Sequence, residues 1–223
     1  MYGLNLVQTL AVAALPILFA ITLHEVAHGF VAWRLGDPTA LMLGRLTINP
    51  IKHIDPVGTI IVPVLLLMMG GFIFGWAKPV PVTVENLRSP KRDMAIVAIA
   101  GPLSNLLMAL FWALVAKMAL MMGASLGSMA QPLVIMGKLG ILFNLLLMTV
   151  NLLPVPPLDG GRVMTGILPG PLAWKFSKLE PYGMLFILGL LVAHQVTGLN
   201  ILGGILGPVI SFFETALYAL FKL

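Results

Sequence analysis

The sequence predicts an all-α polytopic membrane protein, and three features of the chain support that prediction. Apolar residues account for 59% of the 223 residues and charged residues for only 9%, whereas an ordinary soluble chain has roughly 25% charged residues. Several apolar runs approach or exceed the length of about 20 residues that a helix needs to cross a bilayer. The sequence contains no cysteine, which excludes a disulfide framework and a thiolate metal site. We therefore expect one integral-membrane domain over residues 1–223, with the lipid bilayer as its solvent.

Six apolar runs follow one another along the chain, with short polar connections between them. They cover residues 4–33, 57–75, 94–122, 133–153, 182–197 and 201–220. His24, Glu25 and His28 interrupt the far end of the first run, and a proline and a Gly-Gly pair interrupt the second. The runs predict five to six transmembrane helices.

Lysine and arginine are distributed unevenly over the connections, which indicates how the helices are oriented. Basic residues follow the first, second and fourth runs and end the chain, whereas residues 123–132 and 198–200 contain none. Cytoplasmic loops carry the excess of Lys and Arg, so we expect the basic loops and the C-terminus in the cytoplasm and the N-terminus outside. The net charge of +5 is therefore a topology signal, and no nucleic-acid partner is expected.

The run at residues 57–75 has basic loops on both sides, which a single crossing does not explain. An element that enters the membrane and returns would keep both loops on one side. Irregular backbone at membrane depth is tolerated where protein or a wet cavity surrounds it, and Gly58, Pro63, Gly70 and Gly71 suit such a turn. We therefore favour five crossings and one re-entrant element. The alternative is six plain crossings with one loop that departs from the charge rule.

Two stretches beside this element are typical of short β-strands. Residues 40–48 alternate loosely between apolar and polar side chains, and residues 78–84 read K-P-V-P-V-T-V. Prolines confine a strand to the edge of a sheet because they cannot donate to the ladder. We expect short membrane-associated edge strands here.

The most informative motif is H-E-V-A-H at residues 24–28. Histidines at positions i and i+4 of a helix lie on one face about one turn apart, so both imidazoles can reach one metal ion. Glu25 between them can act as general base on a metal-activated water. Ionisable side chains inside a span are costly and typically functional, which favours this interpretation over polar side chains that only join helices. His24 lies roughly 15 Å of helix before Arg34, so we expect the site below the cytoplasmic surface.

A catalytic zinc usually has three protein ligands, and the two histidines leave one to be found. The candidate is Asp159, in N-L-L-P-V-P-P-L-D-G-G-R at residues 151–162. It follows the fourth run and precedes Arg162, so the predicted topology returns it to the same side as the histidines. The prolines forbid a regular helix and the glycines permit tight backbone. Taken alone, Asp159 could equally be a turn or cap aspartate.

These motifs together resemble the site-2 protease family of intramembrane zinc metallopeptidases, in particular its short prokaryotic members without a PDZ domain. The resemblance lies in H-E-V-A-H at 24–28, A-G-P-L-S-N at 100–105 and N-L-L-P-V-P-P-L-D-G-G-R at 151–162. HExxH alone is shared with many soluble zinc proteases, whereas its combination with a downstream N-x-x-P and D-G is specific to this family. The apolar run at 57–75 is an insertion that the most compact family core does not require.

The resemblance implies a catalytic core of three helices, formed by the first, third and fourth runs within residues 4–162, followed by C-terminal helices at about 181–221. It implies one Zn²⁺ per chain, with His24, His28 and Asp159 as ligands and Glu25 as base. Asn151 matches a family asparagine near the metal that helps hold substrate or stabilise the oxyanion. Asn105 matches a second asparagine, which we assign to substrate binding.

The function implied is hydrolysis of peptide bonds in or near transmembrane segments of membrane proteins, in a prokaryotic cell membrane. A substrate helix must unwind to be cut, and the predicted edge strands could pair with it by strand addition. Two alternatives come from other classes: a membrane metal transporter with the same ligands, and a non-catalytic membrane scaffold. A hydrolase that acts on lipid is a further possibility.

Overall fold

The computed structural model describes residues 5–68, 75–198 and 200–223, and helices make up most of them. We number the helices of eight or more residues in chain order: α1 (Leu6–Arg34), α2 (Pro90–Met121), α3 (Ala130–Asn151), α4 (Asp159–Ile167), α5 (Gly170–Ser177), α6 (Glu180–Thr197) and α7 (Ile201–Phe221). Shorter helical segments are Thr39–Met42, Pro50–His53, Pro56–Ile61, Val62–Met68, Val84–Asn86, Gly123–Leu126 and Gly127–Met129.

The long helices confirm an all-α polytopic protein. Four of the described helical stretches are long and apolar enough to cross a membrane, namely Val7–Arg34, Pro90–Met121, Gly123–Asn151 and Ile201–Phe221. A fifth span is possible if α5 and the first part of α6, which are bent by 57° relative to each other, count as one crossing. The described residues therefore contain four or five candidate spans.

Local sequence signals set the two ends of α1. Its N-terminus has a capping box, because the Asn5 side chain accepts from the Gln8 amide and the Gln8 side chain accepts from the Asn5 amide. This reciprocal pair satisfies two amide groups that the first turn of a helix leaves free. The helix ends at Arg34, and Gly36 follows with a φ of 115°, a conformation that glycine adopts at low cost.

Close helix contacts hold α2 between α1 and α3. On α3, a Cβ atom added at Gly137 would meet Ala116 of α2, and one added at Gly140 would meet the Trp112 ring. Small residues at such an interface let helix backbones approach, which stabilises helix pairs in lipid through van der Waals packing. Leu217 of α7 joins the buried cluster around Trp112. The three helices α1, α2 and α3 thus form one bundle, and α7 packs on its outside.

The predicted β-strands are wrong, since the described residues contain no strand. In the stretch at 40–48, Thr39–Met42 is a short helix, and Gly44 follows it with a φ of 62°. Residues 75–83, which we call the 75–83 segment, have no regular secondary structure. Its amide groups do not form a ladder because prolines alternate with valines, and because side chains elsewhere accept from Val80 and Thr83.

Hydrogen bonds of Asp37, just after α1, join the end of the 75–83 segment to the end of α1. Its buried carboxylate accepts hydrogen bonds from the amides of Thr39 and Thr83 and from the side chains of Thr39 and Asn86. Burial would raise the pKa of Asp37, but these hydrogen bonds outweigh it and hold the pKa below the usual range. The carboxylate therefore holds the two segments together in its ionised form.

Gly58 and Trp76 lie next to each other, although 17 residues separate them in the sequence. The Trp76 amide donates to the Gly58 carbonyl at 3.1 Å, and the Thr59 hydroxyl donates to the Trp76 carbonyl at 2.8 Å. The described part in between consists of the Pro56–Ile61 and Val62–Met68 helical segments. Gly70 and Gly71, expected to form the turn, lie outside the described residues.

Candidate metal centre

Three side chains from two distant parts of the sequence converge at one buried point. His24 and His28 project from one face of α1, and Asp159 begins α4. The Oδ2 atom of Asp159 lies 3.1 Å from Nε2 of His24 and 3.2 Å from Nε2 of His28, and the two Nε2 atoms are 3.1 Å apart. All three residues are buried, and they form the only group among the described residues that could hold a metal ion.

The triangle fits a zinc ion in both size and chemistry. Ligand atoms of a tetrahedral zinc with bonds of roughly 2.0–2.1 Å lie about 3.3 Å apart, close to the three observed separations. Asp159 Oδ2 is fully buried and accepts no hydrogen bond, an arrangement that is costly unless a cation occupies the centre.

The Nδ1 atoms of His24 and His28 are hydrogen-bonded to residues of α2, which leaves the Nε2 atoms to face each other and Asp159. Nδ1 of His28 lies 2.7 Å from the Val97 carbonyl, which can only accept, so this nitrogen carries the proton. Nδ1 of His24 lies 2.6 Å from Oδ1 of Asn105. Outer hydrogen bonds of this kind fix the tautomer and the ring orientation of histidine ligands. Each Nε2 is therefore left with a lone pair for the metal.

Gly101 on α2 makes room for the two imidazoles. A Cβ atom at this position would lie 2.5 Å from Cε1 of His28 and 2.6 Å from Cε1 of His24, far closer than the 3.5–4.0 Å of a normal carbon contact. The α2 backbone can thus approach the two imidazoles only because residue 101 has no side chain. This explains the glycine of the A-G-P-L-S-N motif in physical terms.

Asp159 reaches the histidines because the chain turns tightly just before it. Residues 152–158 form no regular helix, and α4 begins at Asp159. A Cβ atom at Gly160 would collide with the carbonyls of Leu152 and Leu153, so the close turn requires a glycine there. The carboxylate lies in the first turn of α4, where the helix dipole favours a negative charge.

Glu25 lies on the stripe of α1 next to the histidines and makes a different contact. It is half-buried, and its Oε2 accepts a hydrogen bond of 2.7 Å from the amide of Val80. The 75–83 segment therefore passes directly beside this carboxylate. One oxygen is held by the backbone, and the other is available for proton transfer.

The two predicted asparagines are placed differently from each other. Asn105 is fully buried and hydrogen-bonded to His24, the Ala20 carbonyl and Asn144, so it has no surface left to contact a substrate. Asn151, at the end of α3, is half-buried and donates one amide proton to the Leu147 carbonyl. Sequence reasoning missed Asn144, although an amide in the middle of an apolar run and two helical turns before Asn151 was a usable signal.

A groove borders the site on one side. It has a volume of about 640 Å³ and lies between residues 79–82 of the 75–83 segment and the Gly161–Arg162 part of α4, with Pro156 and Lys91 also lining it. Its wall includes Val80, the hydrogen-bond partner of Glu25. The groove therefore reaches the residue that binds Glu25 and the residues on both sides of the Asp159 turn.

Comparison with known proteins finds relatives that are named as zinc metalloproteases. YwhC of Bacillus subtilis (strain 168) is 40% identical over 193 residues, which cover 86% of this chain and 83% of YwhC. Rip2 of Mycolicibacterium smegmatis is 30% identical over 179 residues, which cover 78% of this chain and 64% of Rip2. Rip2 of Mycobacterium tuberculosis (strain H37Rv) is 28% identical over 185 residues, which cover 81% of this chain and 66% of Rip2. No family model matches the chain, and no solved structure matches it significantly.

Proposed function

This chain belongs to the site-2 protease family of intramembrane zinc metalloproteases, and on that premise we propose that His24, His28 and Asp159 hold the zinc and that Glu25 is the catalytic base. The observation that carries the proposal is the buried triangle of Nε2, Nε2 and Oδ2 atoms, each within 3.2 Å of the others. A metal transporter or an idle scaffold would not require a carboxylate base beside that triangle. The names of the relatives favour the protease over both.

Zinc bound in this triangle supplies Lewis-acid activation of a water molecule and of the scissile carbonyl. Glu25 takes a proton from the attacking water and later delivers it to the leaving amine. The Val80 amide orients the carboxylate by holding Oε2, which leaves the second oxygen for the proton. Asn151 can donate its second amide proton to the developing oxyanion, since the first is bonded to Leu147.

We assign Asn105 a role other than the substrate contact that the sequence suggested. Its burial and its hydrogen bond to His24 support a role in orienting that ligand. The catalytic core then consists of α1, α2, α3 and the start of α4, within residues 4–162, and α6 and α7 form the C-terminal part of a single domain.

The substrate class that we propose is a membrane protein with a transmembrane segment, cut in or next to that segment. A helix hides its carbonyls in internal hydrogen bonds, so the substrate must be extended to be cut. The groove beside the 75–83 segment supports this idea, because it is lined by Val80, the residue whose amide binds Glu25. Backbone groups of the 75–83 segment could pair with that chain by strand addition, even though the segment is not part of a sheet by itself.

We further propose that the site opens to the cytoplasm of a prokaryotic cell and that residues 57–75 are re-entrant. The basic connections support this orientation. The hydrogen bonds between Gly58, Thr59 and Trp76 support the return path, because they join the two ends of that segment. The bacterial origin of the relatives supports the location in a cell membrane.

The test is cleavage of a membrane-protein substrate by the purified chain in proteoliposomes, together with the zinc content of each variant. Glu25→Gln is expected to retain one zinc per chain and lose cleavage, and Asp159→Ala is expected to lose both. Glu85→Gln, the same change at an exposed position, is the matched control and is expected to behave as wild type. Turnover in Glu25→Gln, or zinc binding unaffected by Asp159→Ala, would contradict the assignment.

A further inference from the structure

Asn144 is a buried amide in the middle of α3 that does not contact the metal triangle. It is fully buried, its Nδ2 donates to the Gly140 carbonyl at 2.8 Å, and its Oδ1 accepts from Nδ2 of Asn105 at 3.0 Å. Asn105 in turn lies against His24. A line of hydrogen bonds therefore runs from the α3 backbone through two amides to a proposed zinc ligand.

The direction of each hydrogen bond in this line follows from its ends. The Gly140 carbonyl can only accept, so Asn144 must present its NH₂ group to it and its oxygen to Asn105. The Ala20 carbonyl can also only accept, and it lies 3.1 Å from Nδ2 of Asn105. Both protons of the Asn105 amide are thus committed, and its oxygen must face His24. A reversed Asn105 amide would put its oxygen against two acceptors.

The orientation of the Asn105 amide determines the tautomer of His24. With an amide oxygen at 2.6 Å, Nδ1 must carry the proton, and Nε2 keeps a lone pair on the side of Asp159 and His28. His28 reaches the same state through one direct bond to the Val97 carbonyl. Without Asn144, only the Ala20 carbonyl would oppose a 180° rotation of the Asn105 amide that presents NH₂ to His24. Asn144 is the side chain that adds a second acceptor against this rotation.

We propose that Asn144 is a positioning residue for zinc binding, which acts through Asn105 to hold His24 in the tautomer that binds the metal. This inference rests on the proposed ligand set and adds a residue beyond it. Outer hydrogen-bond partners of metal-binding histidines typically contribute 10–100-fold to metal affinity. We expect Asn144→Leu to raise the zinc dissociation constant by about tenfold or more.

The test is a double-mutant cycle read out as zinc affinity, measured by chelator competition on the full chain in detergent. If Asn144 acts through Asn105, Asn144→Leu weakens zinc binding in the wild-type background and has no further effect in an Asn105→Leu background. Asn144→Asp in its protonated form can donate to the Gly140 carbonyl and retains an oxygen that accepts from Asn105, so at low pH it is expected to recover more of the wild-type affinity than Asn144→Leu does at the same pH. Equal losses in both backgrounds would overturn the relay, as would wild-type affinity in Asn144→Leu.

Thr149→Val is the matched control for a merely structural effect. Thr149 is also a buried polar residue of α3, and its hydroxyl donates to the Leu145 carbonyl four residues earlier, as Asn144 donates to Gly140. It has no bond to Asn105, so its variant is expected to retain wild-type zinc affinity. A loss of affinity equal to that of Asn144→Leu would mean that any buried polar group of α3 has this effect, which would overturn the proposal.

A measurement on the wild-type chain keeps the inference testable if the variants do not fold. In zinc-loaded protein labelled with ¹⁵N-histidine, His24 is expected to carry its proton on Nδ1, and binding through Nδ1 would overturn the relay. If the proposed ligands are wrong, the wild-type chain will bind no zinc at this site, which distinguishes that outcome from a failure of the Asn144 proposal. Tight wild-type binding with no effect of Asn144→Leu would refute the relay alone.

Discussion

Replacing Gly101 with alanine is expected to weaken zinc binding while leaving the bundle folded. The added methyl group would lie 2.5 Å and 2.6 Å from Cε1 of His28 and His24, so the rings or α2 must move by about 1 Å to restore a normal carbon contact. Zinc sites tolerate deviations of only about 0.2 Å in ligand distance. Overpacking of this kind typically costs about 1–3 kcal/mol, which corresponds to roughly 5- to 150-fold in affinity if the metal site bears the cost.

The assay is chelator competition for zinc on the purified chain, with thermal unfolding of the metal-free protein as the measure of folding. Gly137→Ala is the matched control, because its methyl group would collide with Ala116 and the α2 backbone, remote from the imidazoles. It is expected to lower thermal stability with little change in zinc affinity. If Gly101→Ala bound zinc as tightly as wild type, the reasoning that α2 backs the histidine ligands directly would be refuted.

Three further predictions concern the 75–83 segment and the metal. Val80→Pro removes the amide that binds Glu25. Since hydrogen bonds to charged groups contribute about 1.5–3 kcal/mol, we expect kcat to fall roughly 10- to 100-fold with zinc content unchanged. The controls Val80→Ala and Val82→Pro should stay near wild type, and a loss of zinc in Val80→Pro would contradict this role. The pKa of Asp37 lies below the usual 3.8, so its hydrogen bond to the Thr83 amide is complete above about pH 4 and is lost as the pH falls further. The protection factor of the Thr83 amide, which is the intrinsic exchange rate at each pH divided by the observed rate, should fall in that range in wild type, whereas in Asp37→Ala it should be low and independent of pH. Removal of zinc by a chelator is expected to abolish cleavage, and added Zn²⁺ should restore it; cleavage that survives complete zinc removal would exclude zinc as the cofactor.

The sequence predicted the long helices well, because apolar runs of this length have few alternatives in a bilayer. The run at 94–122 corresponds to α2 at Pro90–Met121, and the run at 201–220 corresponds to α7 at Ile201–Phe221. It failed on the strands, because alternating Val and Pro in the 75–83 segment looks like an edge strand. The amides of Val80 and Thr83 are bound instead by carboxylates on and after α1, which no local pattern reveals.

By itself, the sequence determined the local half of the proposed metal site. The spacing of His24 and His28 is a property of one helix, so the shared face and the base between them follow from the i, i+4 rule. The D-G-G turn likewise marked Asp159 as a candidate from its own neighbours.

Only the tertiary structure decided which residues hold these groups in place. Gly101, Asn105 and Asn144 lie more than 70 residues from His24 along the chain, and each acts through a contact between helices. The role of such residues depends on which helix faces meet and at what distance, and in a membrane bundle uniformly apolar surfaces leave that choice to close packing and a few buried hydrogen bonds. The sequence therefore predicted the proposed metal ligands, and the packing of α1, α2 and α3 shows which residues contact them.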